Sequence, residues 1–228
     1  ASIQHTFAEY GARFPAYSSI VGSGANACIL HYTENNARLR SGDLVLIDAG
    51  CEFQGYAADI TRTFPVNGQF TAEQRAIYDL VLEAQRAAIA KVKPGNTWNQ
   101  PHDATVRVIT RGLIKLGLLK GNERDLIKAE AYRDFYMHRA GHWLGLDVHD
   151  VGEYRVAGRW RQLESGMVLT IEPGIYIAPG NSRVAKRWRG IGVRIEDDVV
   201  VTDTGCDVLT KDVPKRAEEI EALMAGTA

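Results

Sequence analysis

Four acidic residues of the sequence are placed for metal chemistry, because each ends or interrupts an apolar segment that is predicted to be a strand. They are Asp48, Asp59, Glu172 and Glu196. A carboxylate buried at a strand end is costly unless a partner neutralises its charge or its pKa shifts far upward. Two arginines nearby in the sequence, Arg62 and Arg194, could pair with one or two of these acids. Because two arginines cannot neutralise four converging carboxylates, we infer that the acids hold divalent metal.

A histidine would complete this ligand set, and three candidates lie within twelve residues of one another: His138, His142 and His149. Two Asp, two Glu and one neutral His carry a charge of −4, which two divalent ions would balance. Ligation that is rich in oxygen and has a single imidazole favours Mn²⁺, with Co²⁺, Zn²⁺ or Fe²⁺ as replacements. Two ions about 3.5–4 Å apart can activate a bridging water and polarise a substrate carbonyl. The residues therefore predict a two-metal hydrolase without deciding which histidine is the ligand.

The spacing of His138 and His142 is that of the paired histidines in a zincin helix, but the rest of that motif is missing. Arg139 occupies the position at which a zincin carries its catalytic glutamate. Gly141 and Gly145 also disfavour a helix in this segment. A zincin site is therefore excluded, and the cluster of histidines among glycines favours a site of another kind.

The chain contains a weak internal repeat that would bring acids from its two halves together. Residues 42–50 align with residues 166–174 at a constant offset of 124 positions. In both copies a glycine precedes an apolar strand that ends on a carboxylate, and another glycine follows two residues later. We interpret the repeat as a pseudo-two-fold molecule in which each half delivers a strand-end acid to one central site.

The predicted order of elements is strands, two helices, strands and a final helix, which is typical of an α+β domain. An amphipathic helix is predicted over residues 3–13, and short strands with tight turns over 27–66. Two longer helices are predicted over residues 71–92 and 99–118, the first of them ended by Pro94 and Gly95. Residues 128–133 are ambiguous. The strongest later strands are predicted over 168–177 and 193–201, and an amphipathic helix over 213–224.

The composition is ordinary for a globular protein and argues against several functional classes. Of 228 residues, 45% are hydrophobic and 24% are charged, and the formal net charge of −1 offers no basic field for nucleic acid. The three cysteines are widely spaced without a CxxC pair, so reduced thiols are expected rather than disulfides or a zinc finger. No segment has the length of a membrane span or the form of a signal peptide, so we expect a cytoplasmic protein without a membrane partner.

Six segments of the sequence closely resemble the pita-bread metallopeptidases, and among them the aminopeptidase P group. They are residues 20–24, 28–35, 44–68, 137–152, 166–177 and 189–198, in the family's order and at its approximate spacing. The resemblance implies the pita-bread fold over residues 1–228, with two α+β halves related by a pseudo-two-fold axis around a curved antiparallel sheet. It also implies an Xaa-Pro aminopeptidase with two metal ions, usually manganese. The implied metal ligands are Asp48, Asp59, His142, Glu172 and Glu196.

The resemblance further assigns roles around these ligands. The implied catalytic set is Glu172, His149, His138, His31 and Arg194, and the implied substrate-binding set is His31, His138, His149 and Tyr176. Glu172 would accept a proton from the attacking water and pass it to the leaving proline nitrogen. His149 and His31 would donate to the scissile carbonyl oxygen or contact the proline. His138 would donate to a ligand or to the substrate, and Tyr176 to a ligand or an intermediate.

Three further side chains have a structural as well as a functional interpretation. Arg194 would gate the pocket or neutralise its charge, unless it forms an ordinary ion pair with Asp197 or Asp198. Tyr17 and Trp143 are expected to pack rather than to take part in catalysis.

Two other functions have the same fold. A prolidase would cleave only Xaa-Pro dipeptides, although residues 144–149 and 189–192 resemble the aminopeptidase more. A pita-bread module without catalysis would bind a partner protein, but such relatives generally lose ligands, and all five are present. Members of the aminopeptidase P group also carry an N-terminal domain that helps to form a homo-oligomer. This chain is expected to start within the first helix of the catalytic domain, without that domain.

Overall fold

The computed structural model describes residues 1–226, which form five α-helices and thirteen short strands. The helices are α1 (Ser2–Glu9), α2 (Ala72–Ile89), α3 (Asn99–Lys115), α4 (Glu123–Lys128) and α5 (Ala217–Met224). The strands are β1 (Phe14–Pro15), β2 (Ile20–Ser23), β3 (Leu44–Asp48), β4 (Cys51–Phe53), β5 (Tyr56–Ala57), β6 (Thr61–Pro65), β7 (Arg155–Val156), β8 (Arg159–Trp160), β9 (Val168–Ile171), β10 (Gly174–Tyr176), β11 (Gly192–Arg194), β12 (Asp197–Val201) and β13 (Cys206–Val208). The last two positions of the predicted 1–228 domain lie outside the described residues. Within residues 1–226, no helix is long and apolar enough to cross a membrane.

Two three-stranded antiparallel sheets carry the acids, which agrees with the predicted α+β class. In the sheet of order β2–β3–β6, Asp48 pairs with Thr61. In the sheet of order β13–β12–β9, Asp197 pairs with Ile171. On its other side, β9 forms an isolated antiparallel bridge between Leu169 and Trp143. The two copies of the sequence repeat, β3 and β9, therefore both lie inside antiparallel pairings, as the two-fold interpretation requires.

The strands predicted as continuous segments are interrupted at the acids. The segment predicted over 168–177 forms β9 and β10, which are separated by Glu172 and Pro173. Pro173 cannot donate a ladder hydrogen bond, so it favours an end to the strand there. The segment predicted over 193–201 forms β11 and β12, with Ile195 and Glu196 between them. Both glutamates therefore project from breaks between strands.

The two long helices form the main core together with the strands behind the site. Thr71 caps α2 and forms a reciprocal capping box with Gln74, whose side chain accepts from the Thr71 backbone N–H. Ile77 and Val81 of α2 are fully buried. A Cβ at Gly112 of α3 would lie 2.2 Å from a methyl carbon of the α2 side chain Leu80, so this glycine allows the two helices to approach closely. The predicted helices over 71–92 and 99–118 are confirmed, with each C-terminal end three residues earlier than predicted.

Several predicted boundaries differ from the structure. Helix α1 ends before Gly11, whose φ of +91° is left-handed, and none of its residues is buried. Residues 24–28 form a 3₁₀ turn rather than a strand, and the ambiguous segment contains the end of α4 and a 3₁₀ turn over 131–134. The last helix starts at Ala217 rather than at residue 213. The carbonyl groups of Val213 and Pro214 accept hydrogen bonds from Arg62, which holds them outside a helix.

Candidate metal centre

A cavity of about 200 Å³ contains the predicted site. All five predicted metal ligands line it, and so do His31, His138, His149 and Arg194. Tyr176 lies next to this cavity, in hydrogen-bonding contact with His138. The structure therefore brings together side chains from strands β3 and β11, from the segment between β5 and β6, from the strand breaks at Glu172 and Glu196, and from the loop before β7.

Three of the predicted ligands lie close enough together to hold one ion. The donor atoms of Asp59, His142 and Glu196 all lie within 4.8 Å of one another. His142 Nε2 is 3.3 Å from Asp59 Oδ2 and 3.7 Å from Glu172 Oε1. Asp48 joins the group through Tyr17, whose hydroxyl donates to Asp48 and to Asp59. Oxygen donors around a single imidazole at this spacing are the environment that a divalent ion requires.

The backbone fixes the tautomer of His142. Its Nδ1 donates to the Trp143 carbonyl oxygen at 2.9 Å, which leaves the Nε2 lone pair directed at the acids. The loop lies against β9, where Thr170 N donates to the His142 oxygen at 3.0 Å. A Cβ at Gly141 would lie 1.9 Å from the Thr170 oxygen, so only glycine allows this close approach. Of the three candidate histidines, His142 has the geometry of a metal ligand.

The electrostatics of the acid cluster indicate that positive charge is required. Burial raises the pKa of Glu172 to about 7, and it also raises the pKa values of Glu196 and Asp48 above their usual range. Among residues 1–226, Arg194 is the only lysine or arginine that pairs with these acids, through Asp48. Burial lowers the pKa of His142, but its hydrogen bond with Asp59 and the charge of Glu172 outweigh this effect and raise the pKa overall. Two divalent ions fit this donor set, since they supply the charge that the protein does not.

The hydroxyl of Tyr17 is hydrogen-bonded to this cluster, although the sequence predicts that the residue packs rather than takes part in catalysis. Its hydroxyl donates to Asp48 and, at 2.5 Å, to Asp59 Oδ1. Burial, followed by the charges of Asp59 and Asp48, raises the pKa of Tyr17 and keeps the phenol protonated. The tyrosine lies 31 positions before Asp48 in an irregular segment, and no periodicity or spacing in the sequence connects the two.

A hydrogen-bonded chain links Asp48 to the imidazole of His138. Arg194 Nη2 donates to Asp48 Oδ2 at 2.7 Å, and Arg194 Nη1 donates to the Tyr176 hydroxyl at 3.1 Å. That hydroxyl donates to His138 Nε2 at 2.9 Å, while His138 Nδ1 donates to the Arg139 carbonyl oxygen at 2.8 Å. Burial, and then the charge of Arg194, lowers the pKa of His138 to about 3. His138 is therefore neutral, and Arg194 neutralises a predicted ligand.

The alternative partners suggested for Arg194 are occupied elsewhere. Asp197 accepts from Arg62 Nη2 at 2.8 Å and from Lys215. Asp198 Oδ2 accepts from the Asp59 backbone N–H at 3.1 Å. An ordinary ion pair of Arg194 with either aspartate is therefore excluded.

The remaining predicted residues divide between the cavity and the core. The ring of His149 lies 4.3 Å from the ring of His142, at an exposed position. Its pKa is lowered, first by burial and then by the nearby His142. His31 is exposed at the same cavity. Trp143 packs as expected, with its ring centroid 4.1 Å from that of Trp98.

Comparison with known proteins shows the family to which the chain belongs. The sequence profile of metallopeptidase family M24 matches residues 1–203. The Xaa-Pro aminopeptidase of Escherichia coli K12 is 58% identical over 222 residues, which are 97% of this chain and 50% of that protein. Human Xaa-Pro dipeptidase is 40% identical over 254 residues, with 97% of this chain and 51% of that protein covered. The chain thus spans about half the length of the curated relatives it matches.

Two solved structures are similar over nearly the whole chain. Pseudomonas aeruginosa aminopeptidase PepP matches with a TM-score of 0.98 and 66% identity, covering 99% of this chain and 51% of that chain. Escherichia coli aminopeptidase P, solved in complex with substrate, matches with a TM-score of 0.96 and 57% identity over the same shares. The chain belongs to metallopeptidase family M24 and has the pita-bread fold of the aminopeptidase P structures.

Proposed function

We propose that the protein is a two-metal aminopeptidase that releases the N-terminal residue from peptides with proline in the second position. The observation that carries the proposal is the convergence of Asp59, His142 and Glu196, whose donor atoms lie within 4.8 Å of one another beside Glu172 and Asp48. The 58% identity with an Xaa-Pro aminopeptidase supports the choice of substrate class.

The metal would be held by the five predicted ligands. These are Asp48, Asp59, His142, Glu172 and Glu196. Two divalent ions would offset the four carboxylates, and their oxygen-rich surroundings favour Mn²⁺ over Co²⁺, Zn²⁺ or Fe²⁺. When bound, such a pair supplies an activated water and polarises the scissile carbonyl.

Glu172 would move the proton. Its Oε1 is 3.7 Å from His142 Nε2 and its Oε2 is 3.8 Å from His138 Nδ1, so the carboxyl group lies between the ligands and the substrate side of the cavity. Burial raises the pKa of Glu172 to about 7. A carboxylate beside the attacking water could take its proton and return it to the proline nitrogen.

The imidazoles would recognise the substrate. His149 and His31 lie exposed at the cavity and would donate to the scissile carbonyl oxygen or contact the proline. His138 lies beside Glu172, with Tyr176 and Arg194 behind it, and would contact the substrate there. An Xaa-Pro bond has no amide N–H, so a pocket that accepts the ring and expects no donor would select proline.

Metal-dependent hydrolysis of Arg-Pro-Pro tests the proposal. Protein stripped with EDTA should be inactive, activity should return with Mn²⁺, and Glu172→Ala should remain at least about 100-fold less active because it lacks the proton carrier. An Xaa-Pro dipeptide assayed in parallel separates an aminopeptidase from a prolidase, which would cleave only the dipeptide. The comparisons favour the aminopeptidase, since the human dipeptidase is 40% identical and the bacterial aminopeptidase 58%. Absence of both activity and bound metal would overturn the proposal.

We also propose that the full-length protein is a cytoplasmic homo-oligomer in which residues 1–228 form the catalytic domain. The three cysteines, Cys28, Cys51 and Cys206, are free, which suits a reducing compartment. Light scattering on the full-length protein measures the oligomer directly, and a monomer would contradict this part of the proposal.

A further inference from the structure

A second arginine lies in the wall of the metal cavity, and its position is fixed. Arg139 lines the cavity and is exposed, whereas Arg194 on the same cavity is buried. The guanidinium of Arg139 lies 4.9 Å from the centre of the Trp160 ring, and its Nη2 donates to Asn99 Oδ1. An aromatic face and a hydrogen bond thus hold a side chain that would otherwise be mobile. Because the fold already orders this side chain, it would lose less conformational entropy when a ligand binds to it.

Most N–H donors of the Arg139 guanidinium are not used by an acidic side chain of the described residues. Within residues 1–226, Arg194 is neutralised by Asp48, but no carboxylate forms an ion pair with Arg139. The carboxylate of Asp103 accepts a hydrogen bond from the amide nitrogen of Asn99 at 2.6 Å. Asp103 therefore contacts Asn99, which binds Arg139, but does not pair with Arg139. A guanidinium has five N–H donors in a planar fork, which suits bidentate binding of a carboxylate.

The location of Arg139 decides which part of a substrate it could meet. The predicted ligands Asp48, Asp59 and Glu196 are buried, so the scissile bond must lie deep in the cavity. Arg139 is exposed in the wall of that cavity. Because an aminopeptidase encloses the single residue that it removes, the part of a bound peptide that reaches this exposed wall would be the part that follows the proline.

We propose that Arg139 binds a carboxylate of the peptide downstream of the proline and makes the protein prefer substrates that carry one there. The proposal rests on the proposed function. The carboxylate is either an acidic side chain in the third position or the free C-terminus of a short peptide, and both present the same chemistry to the guanidinium.

Matched peptides distinguish these sources. The metal-loaded protein is assayed with Ala-Pro-Glu-Ala-amide against Ala-Pro-Gln-Ala-amide, and with Ala-Pro-Ala against Ala-Pro-Ala-amide. The wild type should favour at least one carboxylate-bearing peptide by roughly three- to tenfold in kcat/KM, mainly through KM, because an exposed arginine pair is worth only modest energy. In Arg139→Gln that ratio should fall to near one, and in Arg139→Lys it should be intermediate. The preference should also weaken in the wild type as salt is added.

Arg155 provides the matched control. Its guanidinium lies 4.0 Å from the centre of the same Trp160 ring, but it does not line the cavity. Arg155→Gln should therefore keep the wild-type ratio. A wild type that cleaves all four peptides without preference, or an equal loss of preference in Arg155→Gln, would overturn the role of Arg139 and leave the aminopeptidase intact. Failure of the wild type to cleave any of the peptides would instead reject the proposed function.

Discussion

Three of the proposed metal ligands are hydrogen-bonded to a neighbouring hydroxyl group. Thr61 Oγ1 donates to Glu196 Oε2 at 2.6 Å, and Tyr17 donates to Asp48 and Asp59. Such partners orient metal ligands and tune their affinity. The sequence predicts the acids because an acid at an apolar strand end needs compensation. It does not predict Tyr17, because a tyrosine in an irregular segment is brought to the site only by the fold.

Tyr17→Phe should weaken metal binding about tenfold, because it removes the hydroxyl that holds two carboxylates in place. Calorimetric titration of the metal-free protein with Mn²⁺ measures the change. Tyr10→Phe is the matched control, since Tyr10 is 79% exposed and outside the site. Equal affinity in wild type and Tyr17→Phe would show that the ligands are positioned without the hydroxyl.

The stability of the metal-free protein should depend on the protonation of Glu172. Burial raises the pKa of this carboxyl group from its ordinary value of 4.5 to about 7. The folded state therefore binds the proton more tightly than the unfolded state, and the stabilising contribution is complete below pH 4.5 and lost as pH rises through about 7. Urea unfolding should show the wild type losing free energy of unfolding relative to Glu172→Gln between about pH 5 and 8. If the difference in free energy of unfolding between wild type and Glu172→Gln does not change with pH, burial does not raise the pKa of Glu172.

At the scale of elements, the helices follow from local sequence and the strand breaks do not. The capping residue Thr71 marks the start of α2 in the sequence as well as in the structure. The apolar pattern, by contrast, continues through Glu172 and Glu196, where the strands end. Pro173 is a local signal for the first break. Nothing comparable marks the second, which depends on the pairing of β11 with β10 and of β12 with β9.

Gly50 is required where the chain passes between Asp48 and Asp59. A Cβ at this position would lie 1.6 Å from the Ala58 oxygen, so Gly50→Ala must push the backbones apart. We expect a loss of about 2–3 kcal/mol in the free energy of unfolding and weaker metal binding, because overpacking distorts both ligand strands. Chemical denaturation and Mn²⁺ titration measure the two effects.

Gly180→Ala is the control for this substitution. A Cβ at Gly180 would meet nothing within 4 Å, and its φ is not left-handed. Stability and metal affinity should both remain close to the wild type. A Gly50→Ala protein as stable as Gly180→Ala would show that the loop can yield without disturbing the site.

At the scale of the whole molecule, a buried polar network joins the C-terminal segment to the site. Asp197 has no exposed surface and accepts hydrogen bonds from Arg62, Lys215 and Gln85. Arg62 in turn donates to the Glu196 carbonyl oxygen at 2.6 Å. The α+β class could be predicted from the order of the elements and the two-fold arrangement from the repeat, but this network joins residues up to 153 positions apart and has no local signature.

Asp197→Ala should destabilise the protein by about 3–5 kcal/mol, because it leaves buried cationic partners without an acid. Asp79→Ala breaks an exposed ion pair between Arg75 and Asp79, whose side chain is 51% exposed. This substitution should lower the free energy of unfolding by less than about 1 kcal/mol. Urea denaturation of both variants provides the comparison. If both variants lose a similar free energy of unfolding, the buried Asp197 network stabilises the protein no more than the exposed ion pair does.

The order of the proposed ligands along the chain has a consequence for biosynthesis. Asp48 and Asp59 lie 11 positions apart, whereas Glu196 follows 137 positions after Asp59. At about 5–20 residues per second, a ribosome adds the last ligand roughly 7–30 s after the first. During that interval the early carboxylates have no complete site, so an ion they capture can be held only weakly. Stable binding at the proposed site therefore requires an ion that arrives after Glu196 has been added to the chain.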